Sequence, residues 1–138
     1  MCLFCDIVAG RHDAHLVHRD EHTVAFLDIR PLFAGHCLLV PVEHHETLHD
    51  LPKALLEPFF SAAQRLSEAV RLAMGAEGSF VAINNKVSQS VPHLHVHVVP
   101  RVRKDGLRGF FWPRGKYGSD AEMAETAAAV ADALAKVR

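Results

Sequence analysis

Residues 89–101 read QSVPHLHVHVVPR and set His93, His95 and His97 at alternate positions, separated by Leu94 and Val96 and followed by Val98 and Val99. Side chains of a strand alternate between faces. Three imidazoles so spaced therefore project from one face, about 6–7 Å apart, with the aliphatic residues on the other. The run is apolar and β-branched, and Pro92 and Pro100 bracket it, as at the ends of a strand. Three titratable rings in a row on a sheet surface are not a packing solution. A solvated face that happens to be histidine is the bland alternative, and it leaves Gln89, Ser90 and the Pro100-Arg101 stop unexplained.

The rest of the composition narrows the class. A chain of 138 residues, 49 % hydrophobic and 22 % charged, suits one soluble globular domain with a real core. A formal net charge of −1 gives no basic field for nucleic acid, yet one cationic pocket for a small nucleotide remains open. The 11 histidines are the oddity, since this side chain titrates near neutral pH. Neither a charged, then apolar leader nor a run of 18 apolar residues is present, so no membrane partner is expected. The 3 cysteines do not make a secreted disulfide framework, and the expected location is cytoplasmic.

Along the chain, residues 2–10 read as a short helix or turn closed by Gly10. Cys2 and Cys5 form a Cys-x-x-Cys pair that can be redox-active, half of a zinc site or coincidental. No strand can precede Cys2, which favours the zinc half-site, provided two further ligands follow. Residues 15–28 read as a hairpin turning at 19–22, with Asp28 ending its second arm, and residues 35–40 as the next strand, with His36 and Cys37 on opposite faces. Leu55, Phe59, Ala63, Leu66, Val70 and Ala73 recur at helical spacing, predicting an amphipathic helix to about Met74 in which Pro58 either begins the main helix or kinks it. A strand over 79–84 leads into the histidine strand. Residues 104–117, KDGLRGFFWPRGKY, read as a surface loop packing its aromatics, or else as a lid whose Arg108, Arg114 or Lys116 reaches phosphates. An alanine-rich helix over 120–137 follows, capped by Ser119 or Asp120.

The pattern His-φ-His-φ-His-φ-φ, with φ apolar, resembles the signature of the histidine triad superfamily of nucleotide hydrolases and transferases. The flanking Gln89-Ser90-Val91 and Pro100-Arg101 are similar to that family's flanks, as are CLFCDIVAG at 2–10, AFLDIRP at 25–31 and GHCLLVP at 35–41. The resemblance implies an α+β fold: an antiparallel sheet of about five strands, one long helix and a C-terminal helix. The whole of 1–138 would be a single domain, with 102–138 a C-terminal extension of loop plus helix. It further implies a homodimer acting on a small nucleotide.

By the same resemblance, His95 is the nucleophile, His97 contacts phosphate and is a candidate for proton transfer to the leaving group, and His93 completes the catalytic row. His36 is a further phosphate contact, Ser90 bonds a phosphate oxygen or the leaving group, Gln89 shapes that pocket, and Asn84 or Asn85 supplies an amide. Asp28 accepts from ribose hydroxyls, and Phe4, Phe26, Leu27 and Ile29, with Leu3 and Ile7, map onto the base pocket, although each apolar member is equally a core residue. Relatives that keep Cys-x-x-Cys complete a structural zinc site with residues corresponding here to His44 and His93, giving Cys2, Cys5, His44 and His93. Such a site leaves no position open for water. No redox or organic cofactor is implied. Two departures stand out. Ser88 occupies the place of a glycine in many relatives, and the tail after 101 resembles a subgroup that includes plant adenylylsulfatases and phosphorylases.

The implied activity is cleavage of a nucleoside 5′-monophosphate, preferably adenylate, from a leaving group of phosphoramidate, dinucleoside polyphosphate or adenylylsulfate type, through a nucleotidyl-histidine. Two other classes remain: a nucleotide-sensing protein without turnover, and a metal-dependent hydrolase with the triad as ligands. Three positions spaced along one strand converge poorly on one ion, which weighs against the last.

Overall fold

The computed structural model describes residues 2–108 and 114–137. The chain divides into two compact units, Met1–Asp105 and Gly106–Arg138. In the first, helix α1 (Leu3–Val8) precedes strands β1 (Leu16–Arg19), β2 (Thr23–Leu27) and β3 (Cys37–Pro41); helix α2 (Lys53–Ala73) separates these from β4 (Gly78–Ile83) and β5 (Val96–Arg101). The five strands form one sheet in the order β1-β2-β3-β5-β4, antiparallel throughout. The architecture is the expected α+β one.

Each face of the sheet has its own apolar layer. On one side α2 buries Phe59, Ala62, Ala63, Leu66 and Val70 against Ala25, Cys37, Leu39, Leu94, Val96 and Val98. On the other, Phe4, Ile7 and Val8 of α1 pack with Val24, Phe26, Leu38 and Val40. Period-2 alternation in β2 and β3 feeds both layers, so all five residues of β3 are buried.

Three boundaries differ from the sequence expectation. The histidine strand begins only at Val96, so His93 and His95 precede it. The backbone explains this: the Leu94 N–H donates to the His45 carbonyl (2.6 Å) and the His93 N–H to the Val91 carbonyl (2.8 Å), not to a neighbouring strand. The alternation of faces survives, with Leu94, Val96 and Val98 under α2. The rings of His93 and His95 are buried, 0 % and 2 % exposed, and do not form a sheet surface. Helix α2 starts at Lys53, so Pro58 lies inside it, where its missing N–H leaves the Ala54 carbonyl without its helical donor. Its end is closed by Gly75 at φ +60°, with the Ala76 N–H donating back to the Arg71 carbonyl at 2.9 Å. Strand β3 starts at Cys37 because the residues before it turn: Gly35 takes φ +94° and the His36 N–H donates to the Phe33 carbonyl.

In the second unit, α3 (Asp120–Lys136) is capped by the Ser119 hydroxyl, which accepts from the Glu122 N–H at 3.1 Å. The core of the 104–117 stretch, residues 109–113, lies outside the described residues, and Arg108, Arg114 and Lys116 are exposed. No described helix is long and apolar enough to cross a membrane.

Candidate functional site

Two clusters of functional side chains adjoin each other on the α1 side of the sheet. The first is built on the start of α1. Cys2 caps the helix, its Sγ accepting from the Cys5 N–H at 3.4 Å, so the Cys-x-x-Cys spacing brings both thiols to the first turn. Cys5 Sγ lies 3.2 Å from His44 Nδ1 and 3.5 Å from His93 Nδ1, and Cys2 Sγ is 3.5 Å from that same nitrogen. All four donor atoms fall within 4.8 Å of one another.

The ring orientation of His93 is set from behind. Its Nε2 is 2.9 Å from the Pro41 carbonyl, which can only accept, so Nε2 carries the proton and Nδ1 turns a lone pair toward the thiols. Burial, first of all, pushes the pKa of this ring down to about 4. Burial, then the neighbouring Cys2, pushes the Cys5 thiol up. A tetrahedral zinc with bonds of about 2.3 Å to sulfur and 2.0–2.1 Å to nitrogen has ligand–ligand edges of about 3.3–3.8 Å. The measured separations are close to those edges, so the donor set fits zinc with no position left for water. His45 is not among the four; its Nε2 sits 3.4 Å from Glu43 Oε2.

The second cluster holds the other two triad histidines. His95 Nδ1 is 2.8 Å from the His93 carbonyl, so Nδ1–H donates there and the lone pair remains on Nε2. The ring is walled edge-to-face by Phe4 (centroids 5.1 Å) and His97 (5.0 Å), with Phe26 behind Phe4 at 5.3 Å. His97 Nδ1 faces His36 Nε2 at 3.0 Å, and His36 Nδ1 accepts from the Leu32 N–H at 3.0 Å. Asp28 Oδ2 lies 3.6 Å from His36 Nε2, and its Oδ1 accepts from the Arg30 N–H, fixing the turn after β2. Burial, then the neighbouring His95 and His36, pushes His97 down to about 4; burial lowers His36 as well, with Asp28 opposing in both rings. Both rings are therefore neutral at pH 7.

The triad does not converge on an ion: each ring presents Nδ1 to a different partner, and no cluster of ligand atoms among the described residues contains all three. Of the expected pocket residues, Phe4 and Phe26 are buried, Leu27 is 37 % exposed and Ile29 85 % exposed. Asn85 Oδ1 accepts from the Leu48 N–H (2.9 Å). Gln89 Oε1 accepts from the Lys86 N–H and its Nε2 donates to the Glu46 carbonyl, so the 86–89 loop is tied to the segment before α2. Within this loop Lys86 and Ser88 adopt φ of 68° and 61°. Ser88 thus holds a left-handed conformation where the resemblance has glycine. Asn84 is half-buried and Ser90 is exposed. The Pro41 carbonyl and the Leu32 amide, which orient His93 and His36, carry no side-chain signal by which the sequence could have pointed to them.

The chain is similar to known proteins in sequence and in fold. The family model described as HIT domain matches residues 9–104. An uncharacterized HIT-like protein of Methanocaldococcus jannaschii is 38 % identical over 108 residues, covering 77 % of this chain and 83 % of that one. An adenosine 5′-monophosphoramidase of Saccharomyces cerevisiae is 34 % identical (77 % and 66 % covered), and an adenylylsulfatase of Arabidopsis thaliana 31 % identical (77 % and 55 %). The crystal structure of a HIT family member from Bacillus subtilis superposes with a TM-score of 0.84 at 31 % identity, covering 95 % of each chain. A zinc-bound histidine triad family protein from Mycobacterium smegmatis gives 0.73 at 33 % identity, covering 93 % and 96 %.

Proposed function

The chain belongs to the HIT domain family, and on that premise we propose that it cleaves a nucleoside 5′-monophosphate, adenylate foremost, from its leaving group through a covalent nucleotidyl-His95. One observation carries the reading: the Nδ1–H of His95 is held by the His93 carbonyl at 2.8 Å, which leaves Nε2 as an aimed lone pair in a buried site. A neutral imidazole so held is a nucleophile toward phosphorus, and a covalent intermediate divides the displacement into two easier ones. The relatives named as a phosphoramidase and an adenylylsulfatase support adenylate as the transferred group.

In the first step His95 Nε2 forms the N–P bond as the P–X bond breaks with its electron pair on X, and X takes a proton from water. Water then attacks phosphorus, the N–P pair returns to Nε2, and the released proton neutralises the hydroxide left by the first step. His97 contacts the phosphate with His36 behind it, Ser90 bonds a phosphate oxygen or the leaving group, the amide of Asn84 or Asn85 serves the phosphate side, and Gln89 holds their loop. Asp28 takes the ribose hydroxyls, with Phe4, Phe26, Leu27 and Ile29 against the base. Every one of these residues lies in the unit Met1–Asp105.

Cys2, Cys5, His44 and His93 would hold a structural zinc, which supplies cross-linking of α1 to the sheet and no chemistry at phosphorus. The protein would act as a homodimer in the cytoplasm. Quenching wild-type protein within one turnover of an adenosine phosphoramidate and mapping the modified peptide tests the reading. An adenylyl adduct on His95 is expected; an adduct elsewhere, or turnover with none, would overturn it.

A further inference from the structure

Asp28, His36 and His97 form a second compact donor set, with ligand atoms within 4.8 Å of one another. Two imidazoles and a carboxylate are a set that transition metals use. The hydrogen bonds give this cluster another role. The Leu32 N–H donates to His36 Nδ1 at 3.0 Å, so that nitrogen carries no proton and the neutral ring must hold its proton on Nε2. A metal at Nε2 would require an imidazolate. The Nε2–H instead donates to His97 Nδ1 at 3.0 Å, with Asp28 Oδ2 3.6 Å from the same nitrogen. His97 must then carry its own proton on Nε2. The chain of donors runs one way, from a backbone amide through His36 to His97.

We propose that His36 is a positioning residue which, locked by the Leu32 amide, holds His97 as the neutral Nε2–H tautomer, making His97 a fixed hydrogen-bond donor to a phosphate oxygen and not the acid that protonates the leaving group. This rests on the nucleotidyl-transfer reading and deepens it. To become an acid His97 must first bind a proton on Nδ1, which would set two N–H groups head-on across 3.0 Å. Reversing His36 to avoid that would set its Nδ1–H against the Leu32 N–H. Either event sacrifices a buried hydrogen bond. Of the other groups facing the pair, His95 has its Nδ1–H on the His93 carbonyl, and Asp28 Oδ2 stands 3.6 Å from His36 Nε2, beyond hydrogen-bond length. Neither relieves the head-on contact where it stands, and neither takes the place of the Leu32 amide at Nδ1.

Two measurements test it. The first compares kcat/KM for adenosine 5′-(4-nitrophenyl phosphate), whose phenolate leaves without a proton, with that for an alkylamine adenosine phosphoramidate, whose amine does not. His97→Gln keeps an amide N–H donor but cannot serve as an acid. A fixed donor predicts that this variant loses the same factor on both substrates, to within about threefold. General acid catalysis is worth about 10²–10⁴-fold where the leaving group needs a proton. A loss at least about tenfold larger on the amine would overturn the proposal.

The second reads the tautomer directly from ¹⁵N shifts of the His97 ring at pH 7.5. Wild type should show Nε2–H alone, His36→Leu a mixture of tautomers, and His36→Gln, whose amide again donates, a return toward Nε2–H. A mixed His97 in wild type, or His36→Leu leaving it unchanged, would overturn the lock. Turnover surviving in His95→Ala, or absent from wild type on both substrates, would sink the nucleotidyl-histidine reading while the ¹⁵N result still decides the tautomer.

Discussion

Cys5→Ser removes one donor from the Cys2–Cys5–His44–His93 set while leaving a small polar side chain at the start of α1. Three of the six donor separations, 3.2, 3.5 and 3.5 Å, approach the edges of a zinc tetrahedron and all six lie within 4.8 Å, so small side-chain shifts close the set. A ligand that binds only the folded state stabilises it by RT ln(1 + [L]/Kd), about 4 kcal/mol when free zinc exceeds Kd a thousandfold. For a chain of this size that corresponds to roughly 10–20 °C in Tm. Wild type should therefore purify with one zinc per chain and lose a shift of that order to a strong chelator. Cys5→Ser and His44→Ala should lose the metal and melt where chelated wild type does; His45→Ala, outside the donor set, should keep it. Metal analysis and thermal melts in parallel measure both quantities. Wild type without zinc after zinc-replete expression, or a chelator that leaves Tm unmoved, would refute the reasoning.

Phe4 is 5 % exposed and walls His95, so Phe4→Ala should destabilise by about 3–5 kcal/mol and lower kcat; a denaturant midpoint within error of wild type would contradict this. Gly35→Ala forces a side chain into φ +94°, with Met74 Cγ 2.5 Å from where its Cβ would stand, and should cost about 1–3 kcal/mol in urea denaturation. The third prediction concerns pH. His97 sits near pKa 4 and His36 is lowered, so the folded state binds fewer protons than the unfolded one between about pH 6.5 and 4. Stability is then complete above about pH 6.5 and falls as pH drops through that window. Urea midpoints should decline over it in wild type and less so in His97→Gln; parallel profiles would contradict the assignment.

Much of this was legible in residues 89–101. Alternation put Leu94, Val96 and Val98 in the layer under α2 and the three histidines on the other side, where Phe4 of α1 meets the rings of His93 and His95 and His95 meets that of His97. It could not show where the strand begins, because that depends on the Leu94 N–H finding the His45 carbonyl, a contact with a loop 49 residues earlier. The helical spacing of Phe59, Ala63, Leu66 and Val70 identified the buried face of α2, while the proline drew attention away from its true start at Lys53. The Cys-x-x-Cys spacing offered half of a donor set, and only the resemblance supplied His44 and His93, which the fold brings beside it. The tautomers were out of reach. They are set by the Pro41 carbonyl and the Leu32 amide, backbone groups whose direction no side-chain pattern encodes.

The nucleophile is tested most directly by AMP release from an adenosine phosphoramidate, diadenosine polyphosphates and adenylylsulfate, with His95→Ala measured beside wild type. Wild type should release AMP from at least one of these, and the variant should release none while binding AMP within about tenfold of wild-type affinity. Substantial turnover in His95→Ala would contradict a nucleotidyl-His95 intermediate. Tight AMP binding by wild type with no substrate turned over would favour a nucleotide sensor.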